Sequence, residues 1–136
     1  MGLLDNLIGK KEEPVRAGLP FNISTALRPV RLNARKENCL EVLVTISNAS
    51  DSAIMVSATA EVPKSLGFEN LGITKIKEIR MGNVEPQKEK TISFSVCATS
   101  QTPPGTYAVL LTVNHHYRDY SHILNYAKKT VEIRAV

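Results

Sequence analysis

The stretch CLEVLVTISN at residues 39–48 decides the fold. Leu40, Val42, Val44 and Ile46 fall on one side of an extended chain, and Cys39, Glu41, Leu43, Thr45 and Ser47 on the other. An apolar repeat of two describes a strand with one buried face, whereas a core helix would repeat every 3.6 residues. Asn-Ala-Ser-Asp-Ser at 48–52 follows as a turn by composition.

Working outward, the same period returns. Ile54, Val56, Ala58, Ala60 and Val62 share a face until Pro63 ends the strand, and Ile92, Phe94, Val96 and Ala98 oppose Thr91, Ser93, Ser95 and Cys97. Residues 63–74, with Gly67 and Gly72, read as a looser stretch along an edge, and 75–81 as a short strand ended by Gly82-Asn83. Tyr107 to Val113 is apolar at nearly every position, as in a central strand. Residues 114–121 turn over, and 122–134 return as the last strand. Residues 21–33 supply edge segments, with Pro29 tolerated where no ladder donor is needed. About seven short strands without a crossover helix predict an all-β, immunoglobulin-like antiparallel sandwich over 15–136.

Ahead of it, Leu3, Leu4, Leu7 and Ile8 lie on one side of a short amphipathic helix that Gly9 and Pro14 stop, so 1–14 is read as an apolar segment and connector. A helix this short must dock on something to persist in water: its own domain, a protein partner or a membrane surface.

The totals narrow the function. A chain of 136 residues, 43% hydrophobic, fits one domain with one core. The excess of 17 Lys and Arg over 13 Asp and Glu is scattered in pairs, without the dense stripe that nucleic acid requires. No secretory signal is recognisable, and no run approaches the roughly 18 apolar residues of a membrane span. The expectation is therefore a cytoplasmic protein. The sequons at Asn22 and Asn48 are read as chance. Cys39 and Cys97 are too few for a zinc site. Parity and strand order bring them together on the outer face of one sheet, and in a reducing compartment two thiols are expected over a disulfide.

The stretch from Gly82 through Val96, followed by Pro104-Gly105-Thr106-Tyr107, resembles prokaryotic immunoglobulin-like modules of the CARDB and S-layer-related type. In those modules a Pro-containing turn precedes one strand and Pro-Gly-x-Tyr opens the next. The resemblance implies a binding or spacer module without catalysis, with Gly105 at positive φ and Tyr107 capping the core.

The segment HHYRDYSH at 115–122 holds all three histidines and two of the four tyrosines. With Arg118-Asp119 as a two-residue tip, Tyr117 would face Tyr120 and His115 would face His122. Opposed imidazoles about 5 Å apart at Cβ can share a metal, which makes His115, His116 and His122 the candidate ligands of a metal-binding or redox protein. Tyr, His and Arg at one end of a sandwich equally suit protein recognition. That makes Tyr117, Arg118, Tyr120 and His122, with Leu3, Leu4, Leu7 and Ile8, the expected partner-binding residues, supported by Asn125 and Tyr126. No nucleophile elbow, phosphate loop or carboxylate pair is present. The sequence reading is thus a non-catalytic interaction module without a cofactor, acting through a protein partner or self-association, with a peripheral membrane anchor at residues 2–8 as a further alternative.

Overall fold

The computed structural model describes residues 20–136, and these form two stacked antiparallel sheets with no helix. In chain order the strands are β1 (Phe21–Arg28), β2 (Arg31–Leu32), β3 (Asn38–Asn48), β4 (Ile54–Glu61), β5 (Leu66–Gly67), β6 (Ile76–Val84), β7 (Glu89–Ala98), β8 (Gly105–Tyr117) and β9 (Asp119–Ala135). One sheet runs β1-β3-β7-β5 and the other β2-β9-β8-β4-β6, with β2 the single parallel pairing. β2 and β5 have two residues each, so seven longer strands carry the fold. The short helix expected over residues 2–10, with Leu3, Leu4, Leu7 and Ile8, and the connector up to residue 14 lie outside the described residues.

The faces follow the period of two. Leu40, Val42, Val44 and Ile46 of β3 and Phe94 and Val96 of β7 are sealed from water. Across from them, Val56, Ala58 and Ala60 of β4 and Val109, Leu111 and Val113 of β8 are equally buried. Each large apolar side chain withdrawn from water contributes about 1.5–3 kcal/mol, so this shared layer dominates the stability of the domain.

Polar groups close the ends. Asn48, 2% exposed, donates to Ser52 O and Val84 O at 2.8 Å each, while its Oδ1 accepts from the Ser50 N–H and hydroxyl. The turn chemistry at 48–52 is therefore wired through this one carboxamide, and the amide of that sequon is fully engaged. Tyr107, half-buried against the core, donates its hydroxyl to Pro103 O. Gly105 takes the expected positive φ, at 158°, just after a turn in which Thr102 bonds Thr99 and Ser65. Gly67 passes so close to Gly72 that a Cβ would sit 2.5 Å from the Gly72 Cα.

Two local expectations are corrected. Gly82-Asn83 does not end a strand. It lies inside β6, where Gly82 takes φ 74° and the β4–β6 register shifts between Val56 and Ser57, a bulge instead of a turn. The cysteines, expected as thiols, form a disulfide. β3 and β7 pair so that Cys39 stands directly opposite Cys97, both side chains on the outer face, with Cα atoms 4.0 Å apart. At that separation the register itself brings the sulfurs within bonding reach. Asn70 Oδ1 lies 3.1 Å from Cys39 Sγ, and Cys97 is 2% exposed.

A cystine spanning 58 residues should stabilise the domain by about 2–4 kcal/mol. Thiol titration of the unfolded, unreduced protein is expected to find no free thiol. Urea denaturation of Cys39→Ser/Cys97→Ser should show that loss of stability with an unchanged fold; two reactive thiols in the native chain would contradict the bond.

Candidate functional site

The β8–β9 hairpin carries the chemistry-bearing residues, and its path departs from a two-residue turn. β8 runs on to Tyr117, Arg118 alone makes the tip at φ 71°, and β9 begins at Asp119. The pairs are His115 with Asn125, His116 with Ile123 and Tyr117 with Asp119, with register shifts on both sides of His116. The expected oppositions of Tyr117 with Tyr120 and of His115 with His122 are therefore absent.

The physical cause is local capture. The Asp119 carboxylate accepts from the Ser121 hydroxyl at 2.6 Å, the Ser121 N–H at 3.0 Å and His122 Nδ1 at 2.7 Å. Short polar side chains that bond their own neighbourhood compete with ladder pairing, and here residues 120–122 are drawn out of the ladder. The hydrogen bonds from Ser121 and then from His122 hold the exposed Asp119 carboxyl down at about 2.

Tyr120, expected as a recognition residue at the tip, is turned back onto the outer face of its sheet. Its hydroxyl accepts from the Gly82 N–H at 2.9 Å, its ring lies under the Arg80 guanidinium at 4.8 Å, and it meets the His116 ring edge-on at 4.9 Å. His116, 5% exposed, bonds through Nε2 to Ser57 Oγ at 2.7 Å, and Ser57 is fully buried. A cross-strand Ser–His contact was not visible in the sequence, since Ser57 and His116 are far apart in the chain and only the β4–β8 register joins them. It is sealed by Tyr120 and offers a substrate no approach to the serine.

The other two histidines go elsewhere. His115 turns toward the start of β1, edge-on to Phe21 at 6.5 Å, and burial followed by the His116 charge lowers its basicity below that of a free imidazole. His122 stays exposed on Asp119. The three candidate metal ligands thus point in three directions, and among the described residues no group of three His, Cys, Asp or Glu converges. A depression of roughly 490 Å³ near Asn22, Asn48 and Lys88 is open to solvent.

The outward apolar surface of the hairpin is the feature that remains. Tyr117, Ile123, Leu124 and Tyr126 are each between 51% and 57% exposed, and Arg118 stacks over Tyr117 at 5.1 Å. Of the expected recognition residues, Tyr117, Arg118 and His122 are presented to solvent, Tyr120 is packed, and Leu3, Leu4, Leu7 and Ile8 lie outside the described residues. Ile123 and Leu124 were missed. Their signal was two consecutive apolar residues in a strand, one of which must face away from any single core.

The sequence matches no protein-family model and no curated protein. In backbone the chain resembles part of the alkylpurine DNA glycosylase AlkC of Pseudomonas fluorescens, solved bound to DNA containing an abasic site analog, at TM-score 0.50 and 13% identity. It also resembles part of Bacteroides uniformis beta-glucuronidase 2 at TM-score 0.52 and 12% identity. The matches cover 88% and 91% of this chain but only 32% and 14% of those proteins. A PapD-like domain of human CEP192 aligns at TM-score 0.48 and 11% identity, over 91% of this chain and 90% of that domain. At these identities the likeness speaks to a sandwich-like β fold alone.

The capture of residues 119–122 is checked by titration. In the folded chain Asp119 should titrate near 2, below the ordinary 3.8, and Ser121→Ala should move it upward, read from carboxyl carbon shifts by NMR. A lowered carboxyl contributes stability above its unfolded value that is lost as pH falls through the folded one. Ser121→Ala should therefore be less stable than the native chain at pH above the ordinary 3.8, and the difference should shrink away as pH falls towards 2.

Proposed function

We propose that this chain is a non-catalytic, immunoglobulin-like interaction module that acts through protein contacts on its β8–β9 hairpin. The observation that carries the reading is that Tyr117, Ile123, Leu124 and Tyr126 of the β8–β9 hairpin are each half or more exposed. Apolar side chains already held in water on ordered backbone lose little conformational entropy on binding, and aromatic side chains supply large contact area.

The immunoglobulin-like assignment draws on the sheet orders β1-β3-β7-β5 and β2-β9-β8-β4-β6. In that topology the first edge strand continues into a short segment on the opposite sheet. The Tyr107 hydroxyl reaching back to Pro103 near the start of the penultimate strand is a device of the same class. The CARDB-like reading is kept on the turn motifs already quoted. A binding role without catalysis agrees with the sealed Ser57–His116 contact and with the dispersal of the histidines. The Cys39–Cys97 cystine argues for an oxidising compartment over the cytoplasm.

The test is association of the full chain in solution. Sedimentation velocity over a wide concentration range should show a complex that Leu124→Ser and Tyr126→Ser each weaken. Because both side chains are exposed, their melting temperatures should stay within a few degrees of the native chain. A chain that neither self-associates nor binds any protein from its own cells in a Leu124-dependent way would end this reading.

A further inference from the structure

We propose that Asn22 is the acceptor of an N-linked glycan and that Asn48, in the chain's other sequon, is not. The inference goes beyond the interaction reading and rests on the oxidising compartment that the Cys39–Cys97 cystine favours. The export routes that oxidise thiols are also those along which Asn-x-Ser/Thr sequons are modified.

Asn22-Ile23-Ser24 and Asn48-Ala49-Ser50 are alike in sequence and unlike in structure. The first lies in β1, where Phe21 and Ile23 enter the core at 1% and 4% exposure. The period of two puts Asn22 and Ser24 together on the outer face, both half-buried, beside Ser47 and Thr45 of β3. Acceptor amide and sequon hydroxyl therefore share one side of an extended chain. Asn22 also lines the solvent-open depression, together with Ser47, Gln87, Lys88 and Glu89. A first sugar on its Nδ2 has room there and polar side chains around it.

Asn48 is the opposite case. Its Nδ2 uses both hydrogens, on Ser52 O and Val84 O at 2.8 Å each, and the residue is sealed from water. A sugar on that nitrogen replaces one of the two hydrogens, leaves a buried carbonyl without its donor and forces a polar ring into a filled site. The Ser50 hydroxyl is drawn into the same turn, 2.7 Å from Asn48 Oδ1. The fold accepts a glycan at Asn22 and rejects one at Asn48.

The sugar donor is a lipid-linked oligosaccharide, transferred by a membrane oligosaccharyltransferase to the extended chain. Asn22 Nδ2 forms a bond to C1 of the first sugar as the bond from C1 to the lipid phosphate oxygen breaks. The lipid phosphate leaves with that electron pair, and the amide proton passes to a base of the transferase.

The experiment is intact-mass and peptide mass spectrometry of the full chain purified from its own cells. The expected mass is that of the bare chain plus one glycan, carried by the peptide containing Asn22, with the Asn48 peptide unmodified. Asn22→Gln and Ser24→Ala should each abolish the added mass, while Ser24→Thr, which keeps the hydroxyl, should retain it. Melting temperatures within a few degrees of the native chain show that these outward-facing variants fold, and peptide mapping of the native chain decides the question without them. An unmodified chain with Cys39 and Cys97 bonded overturns the glycan and keeps the oxidising compartment. An unmodified chain with two free thiols overturns both. A glycan on Asn48 overturns the inference from burial.

Discussion

The domain depends on a dry layer between two sheets, in which Val42, Val44 and Phe94 from one side meet Val56, Leu111 and Val113 from the other, all sealed from water. A strand that slipped by one residue would exchange this set for the opposite face: in β3, Leu40 to Ile46 would give way to Glu41, Thr45 and Ser47. Register is thereby fixed in every long strand, and the further features follow from fixed register. Cys39 meets Cys97, Ser57 meets His116 across β4 and β8, and Thr45 bonds Thr91 at 2.8 Å on the outer face. None of these pairs is local in sequence.

Where burial does not dictate pairing, polar chemistry does. At the far end of the hairpin the ladder has little core to serve, and three donors to Asp119 are enough to pull residues 120–122 out of it. The displaced segment is then secured by Tyr120, whose hydroxyl takes the N–H of Gly82 at the β6 bulge. Bulge and hairpin are thus coupled: the left-handed φ of Gly82 turns its amide toward the outer face, where the tyrosine receives it. The outcome is a hairpin end in which Tyr120 is packed and bonded while Tyr117, Ile123, Leu124 and Tyr126 keep apolar groups in water.

Legibility in the sequence divides along the same line. The alternation in 39–48, 54–62 and 92–98 named the buried residues correctly because core burial enforces a period of two, and the neighbourhood of the two cysteines followed from parity and strand order. Their bond did not, since a compartment argument was set against a register that places their Cα atoms 4.0 Å apart. Gly82-Asn83 was read as a terminator because the same residues serve turns and bulges, and only the β4 partner distinguishes the two. The hairpin register was misjudged by treating Arg118-Asp119 as a free turn. Asp and Ser two residues apart form their own ring of hydrogen bonds, and that competition depends on geometry that composition does not show. Of the candidate site, the location was legible and the exposed set was not: Tyr120 was expected outward and is packed, while Ile123 and Leu124 went unremarked.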